Sequence, residues 1–174
     1  MKTIFGITFC FVFCLGSCNS VQAENWMRFR GPTGQGISTE KELPVKWSNT
    51  ENIKWKMELP GKGWSSPIVF EDHIFITAST EEGVSCQVIC INRKDGSLAW
   101  QTEVHRQKPG PMRKQNSYAT PTPVTDGKHI YSVFYDGTVI AVDFDGKIVW
   151  KNSEVKFFSL HGLGASPILA NGQV

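Results

Sequence analysis

The sequence predicts an all-β chain, a β-propeller of four-stranded antiparallel blades, of which about two and a half are present. Three observations carry this. Tryptophans recur in matching surroundings at Trp55, Trp100 and Trp150, a pitch of 45 to 50 residues that suits one four-stranded blade. Two of them share an upstream turn, Asp95-Gly96-Ser97-Leu98-Ala99-Trp100 and Asp145-Gly146-Lys147-Ile148-Val149-Trp150. The segments between them are short and bounded by turn residues, with no apolar stripe at the helical period of 3.6. Unrelated hairpins of a sandwich would not explain the matched Asp-Gly-x-x-x-Trp spacing.

Residues 1–23 read as a secretory leader: Met1-Lys2-Thr3, then a mostly apolar run from Ile4 to Leu15 and a small-residue exit. Two exits are written there. Val21-Gln22-Ala23 is an ordinary cleavage site, and Leu15-Gly16-Ser17-Cys18 resembles a bacterial lipobox in which Cys18 is acylated. Such an anchor holds a protein at a membrane surface without spanning it. No later segment has the 18 or so consecutive apolar residues of a transmembrane helix. A formal net charge of +2 gives no electrostatic signature of nucleic-acid binding. The 40% hydrophobic content and six tryptophans exclude disorder.

Residues 24–52 are an N-terminal extension. Within it Gly31-Pro32-Thr33-Gly34-Gln35-Gly36-Ile37-Ser38 imitates a phosphate loop, but Ile37 stands where the lysine is required. Residues 53–174 form the partial propeller. A final strand is expected near Trp55, then one blade at about 66–103 with strands at 66–71, 73–79, 84–92 and 97–103. The second blade, about 119–152, has strands at 119–125, 129–135, 138–143 and 147–152. The turns Asp126-Gly127, Asp136-Gly137 and Asp145-Gly146 separate them, since Gly accepts the positive φ that tight hairpins need. An opening strand of a third blade is expected from residue 166. Ser66-Pro67, Thr122-Pro123 and Ser166-Pro167 mark the three strand openings. Leu98 and Trp100, like Ile148 and Trp150, share a strand face. Burying each indole, about 200 Å² of contact, against the neighbouring sheet would seal the gap between blades.

In a propeller the loop entering each first strand opens on one face. Three such loops are visible, and they bring Trp64, Ser65, Asn116, Ser117, Tyr118 and His161 to one mouth as ligand-site candidates. The stretch from His105 to Asn116 carries four Lys/Arg and no acid, and reads as a solvated loop or as a contact for an anionic partner. Cys86 and Cys90, about 13 Å apart along a strand, lie beyond disulfide reach and read as small buried side chains. His73 and His129 adjoin hairpin turns and are expected to be exposed. His73, His105, His129 and His161 show no metal-ligand pairing, no catalytic nucleophile–base motif is present, and no catalytic residue is assigned.

The segments Asp143 to Trp150 and Asn92 to Trp100 resemble the tryptophan docking motif of quinoprotein-like propellers, the pyrroloquinoline-quinone (PQQ) repeat family. The opening Trp26-Met27-Arg28-Phe29-Arg30-Gly31-Pro32 is similar to the start of exported bacterial members. By this resemblance Trp55, Trp100, Trp150, Gly96 and Gly146 are structural docking residues. Seven or eight blades of the family imply about 350–400 mature residues, so the chain is expected to hold only part of a ring and to be poorly soluble by itself. The family includes PQQ- and calcium-dependent dehydrogenases and cofactor-free members, among them an outer-membrane assembly lipoprotein. The dehydrogenases' adjacent paired cysteines are missing here. The preferred expectation is a non-catalytic binding or scaffold protein, periplasmic or an outer-membrane lipoprotein, with an envelope protein or glycan as partner and no visible cofactor. The alternative is a periplasmic quinoprotein dehydrogenase that oxidises an alcohol or sugar with PQQ and calcium.

Overall fold

The computed structural model describes residues 24–174; the leader and Cys18 lie outside them. Eight strands follow in order, β1 (Ile68–Phe70), β2 (His73–Thr80), β3 (Ser85–Asn92), β4 (Leu98–Arg106), β5 (Val124–Thr125), β6 (His129–Val133), β7 (Val139–Asp143) and β8 (Ile148–Asn152). They form two four-stranded antiparallel meanders, β1-β2-β3-β4 and β5-β6-β7-β8. One 3-10 turn, Glu81–Gly83, is the only helical element among the described residues. The fold is thus all-β with open, blade-like sheets, as the repeat predicts.

Local chemistry sets the turns. In the β5–β6 hairpin the Asp126 carboxylate accepts the backbone N–H groups of Lys128 and His129 at 2.8 and 2.7 Å, while Gly127 takes φ +84°. Such side-chain capping is why Asp precedes Gly in these turns. The first strand of each sheet is shorter than the sequence suggests. Pro121 and Pro123 have no N–H to give a ladder, so the strand expected over 119–125 is only Val124–Thr125.

Alternation along the strands produces one core between the sheets. Ile68, Phe75, Cys86, Val88, Cys90 and Val104 of the first sheet meet Ile130, Phe134, Ile140 and Val142 of the second. Phe144 sits edge-on to Phe75, with centroids 5.2 Å apart. The other face of the first sheet is covered by Trp55 and Met57, which pack on Ala78, Ile89 and Ile91.

Several expectations are corrected. The residues around Trp55 form no strand; they hold their place by the indole rather than by ladder pairing. Residues 166–169 likewise pair with nothing in a ladder, and the segment closes on itself through an Ala170–Gln173 bridge, because no second strand lies beside it among the described residues. His73 is not an exposed turn residue but half-buried, stacked on Phe75 at 5.9 Å and edge-on to Phe144 at 5.7 Å. His129 is half-buried too, its ring edge-on to Tyr131.

The extension does something the sequence does not announce. Trp26 exchanges two backbone hydrogen bonds with Val69 (2.7 and 2.8 Å), and Met27 accepts one from Thr125 at 3.0 Å. Residues 26–27 therefore lie along the free edges of both β1 and β5. The segment then folds back: the Glu24 carboxylate accepts Ser38 Oγ and the Thr39 N–H, and Glu40 accepts the Glu24 N–H. Gly31 packs against the Trp26 ring, so closely that a Cβ there would fall 2.6 Å from it.

Candidate functional site

The two docked tryptophans repeat one geometry. Trp55 Nε1 donates to Arg93 O at 3.0 Å and its ring covers Gly96; Trp100 Nε1 donates to Phe144 O at 2.7 Å and its ring covers Gly146. Both glycines have positive φ, +75° and +80°, and a Cβ on either would fall within 2.8 Å of the indole. Only Gly satisfies both the backbone and the stacking. Trp150 has no such turn opposite it among the described residues. Its ring is 40% exposed, beside Tyr131 at 6.0 Å, in a groove shared with residues 169–174.

At the opposite end from these Asp-Gly turns, a second set of contacts joins the strand openings. Ser66 N–H donates to Thr122 Oγ1, and Thr122 N–H donates to Ser166 Oγ, each at 3.0 Å. The three Ser/Thr-Pro landmarks are thus neighbours, the Thr122 and Ser166 hydroxyls each capping the amide of the opening before. The sequence displays the repeated Ser/Thr-Pro pair, but the stitch joins residues 44 and 56 apart and has no local signal.

The stitch carries three loops with it. Trp64 and Ser65 N–H groups donate to Ala119 O at 3.1 and 3.2 Å, and Trp64 N–H also reaches Ser117 Oγ. Asn116 Nδ2 donates to His161 O. Arg113, Gln115, Asn116 and His161 line a shallow open depression of about 460 Å³.

The six mouth candidates divide by where their side chains go. Trp64 is 63% exposed, His161 is exposed and Asn116 half-buried at the rim. Ser65 is turned inward, its hydroxyl bonded to the Thr77 backbone. Ser117 is buried against Thr120. Tyr118 points away from the mouth: its ring covers Gly83, stacks edge-on against Tyr135 at 5.2 Å, and its hydroxyl donates to Gly110 O. Ser65, Ser117 and Tyr118 brace the loops, so of the six candidates Trp64, Asn116 and His161 keep their side chains at the rim.

The end of β4 and the long segment after it are anchored at several points. His105 Nε2 is 2.9 Å from Asp136, and Arg106 pairs with Glu81 and Glu103. Gln107 Nε2 donates to Gly83 O, and Tyr135 OH donates to Pro111 O. Burial raises the Asp136 pKa, but hydrogen bonds from His105 and Thr138 outweigh it, so the carboxyl sits below its ordinary value. Burial pushes the Cys90 thiol up to about 12 and raises Cys86 further. Both cysteines are free and fully packed, so neither offers a reactive thiolate.

No group of three or more His, Cys, Asp or Glu side chains among the described residues is placed to hold a metal. No helix among them is long and apolar enough to cross a membrane.

Comparison with known proteins places the repeat. The family model for the outer membrane protein assembly factor BamB matches residues 37–153 and 87–174. The crystal structure of BamB from Moraxella catarrhalis superposes with a TM-score of 0.52 at 17% identity, over 70% of this chain and 36% of that one. A europium-containing methanol dehydrogenase gives 0.38 at 17% identity, over 55% of this chain and 16% of that one. No curated protein sequence matches the chain. The chain spans little more than a third of the length of the BamB structure.

Proposed function

Because the chain belongs to the PQQ-repeat propeller family of the assembly factor BamB, we propose that it is a non-catalytic binding platform for a protein of the cell envelope. The observation that supports this best is the mouth. A large exposed indole, Trp64, stands on a loop whose backbone is hydrogen-bonded to the neighbouring opening, beside the Asn116–His161 rim. A rigid, pre-ordered aromatic anchor is what a protein-binding surface needs, since little entropy is lost when the partner arrives. The leader read over residues 1–23, with acylation at Cys18 or cleavage after Ala23, supplies the route to the envelope. In this reading neither PQQ nor calcium is used.

The test is photocrosslinking in the intact cell envelope with the reactive residue at position 64 or, as a control, at position 145 on the opposite end. The platform reading expects a discrete protein adduct from position 64 and none from 145. Adducts equal at both positions, or dye-linked alcohol oxidation rising above background when PQQ and Ca²⁺ are added to the full-length protein, would overturn it.

A further inference from the structure

The charges at the mouth end are sorted by radius. Beyond the first two residues after an outer strand, the three loops that enter the strand openings, residues 61–67, 109–123 and 155–167, carry Lys62, Arg113, Lys114 and Lys156 and not one Asp or Glu. None of these four cations has an ion-pair partner among the described residues. The acids at this end lie on the outer strands, between them or directly after them, Glu103 of β4 among them, paired with Arg106. Glu81 and Asp136 are there, already taken by Arg106 and His105, with Glu82 next to the first and Glu154 after β8. At the other end, the carboxylates of Asp95, Asp126 and Asp143 cap turn amides. The inner rim is therefore of one sign, and the depression lined by Arg113, Gln115, Asn116 and His161 opens within it.

Resting on the platform reading, we propose that the mouth takes an acidic peptide segment of its partner. A concave site edged by one sign of charge focuses the field and draws in the opposite one. The Arg113 guanidinium offers a carboxylate two parallel donors, Lys114 and Lys62 supply further positive charge, and the Gln115 and Asn116 amides give neutral hydrogen bonds. Trp64 adds an exposed apolar surface for a side chain between the acids. Because the loop is held by Gln107, Tyr118, Tyr135 and Asn116, the cations are presented without first being ordered.

Fluorescence anisotropy of the full chain with a labelled peptide of alternating Glu and Ser tests this, against the same peptide with Gln for Glu. The acidic peptide should bind at least tenfold more tightly than the neutral one, with affinity falling between about 50 and about 300 mM salt. Arg113→Glu with Lys114→Glu should weaken it at least tenfold. Lys94→Glu with Lys147→Glu, the same charge change at the far end, should weaken it less than twofold. Equal binding of both peptides, or equal loss from both double variants, overturns the proposal. If the position-64 adduct still forms while the acidic peptide shows no preference, charge recognition fails and the platform stands; if the adduct is lost, the platform fails as well.

Discussion

At the residue scale the fold turns on contacts that admit one residue type. Gly146 lies under Trp100 with φ +80°, so Gly146→Ala adds both backbone strain and a clash. We expect a loss of about 1–3 kcal/mol, read as a lower urea midpoint. Trp100→Ala, which opens the space between the sheets, should cost about 3 kcal/mol, the low end for a large aromatic because the ring is only partly buried. The Asp136–His105 pair gives a pH signature. A carboxyl whose folded pKa is depressed adds stability that is present above the ordinary carboxylate value, near 4, and lost as pH falls through the folded value. Asp136→Asn should therefore be less stable than the parent at pH 7, with the difference shrinking in urea titrations as pH drops below about 4. A constant difference across that range would show that packing at Asp136, not its charge, matters.

At the element scale, strand edges decide behaviour. Residues 26–27 cover the edges of β1 and β5, so deleting residues 24–40 should make the Val69 and Thr125 amides exchange faster while the Ile89 amide, inside β3, changes little. Unchanged protection at Val69 and Thr125 would mean that the extension is not fixed there. The opposite edge, β8, exposes all five residues, including Val149 and Trp150, and an uncovered apolar edge invites pairing with other chains. Val149→Lys should shift the purified chain toward monomer in size-exclusion chromatography; an unchanged profile would place self-association elsewhere. Much of this layout was legible. Asp-Gly turns and alternating strands fix the positions of β6, β7 and β8 to within a residue or two, because both signals are local. What was not legible depends on distant partners. Pro121 and Pro123 shorten β5 through their missing donors. Tyr118 is drawn from the mouth by Gly83 and Gly110. Trp26 carries no strand-like alternation to betray the edge it covers.

Across the whole molecule, docking at one end and stitching at the other serve the same arrangement. Trp55 and Trp100 seat successive sheets at the Asp-Gly end, and the Ser66–Thr122–Ser166 series holds the openings together at the mouth. If the sheets did not pack in this way, Trp64, Asn116 and His161 would not share a face and the cationic inner rim would not exist. Indole N–H exchange followed by NMR, with each tryptophan assigned by substitution to Phe, tests this most directly. The Trp55 and Trp100 indole protons, donated to Arg93 and Phe144 carbonyls, should exchange far more slowly than those of exposed Trp47 and Trp64. Equal exchange at all four would contradict the packing on which the site depends.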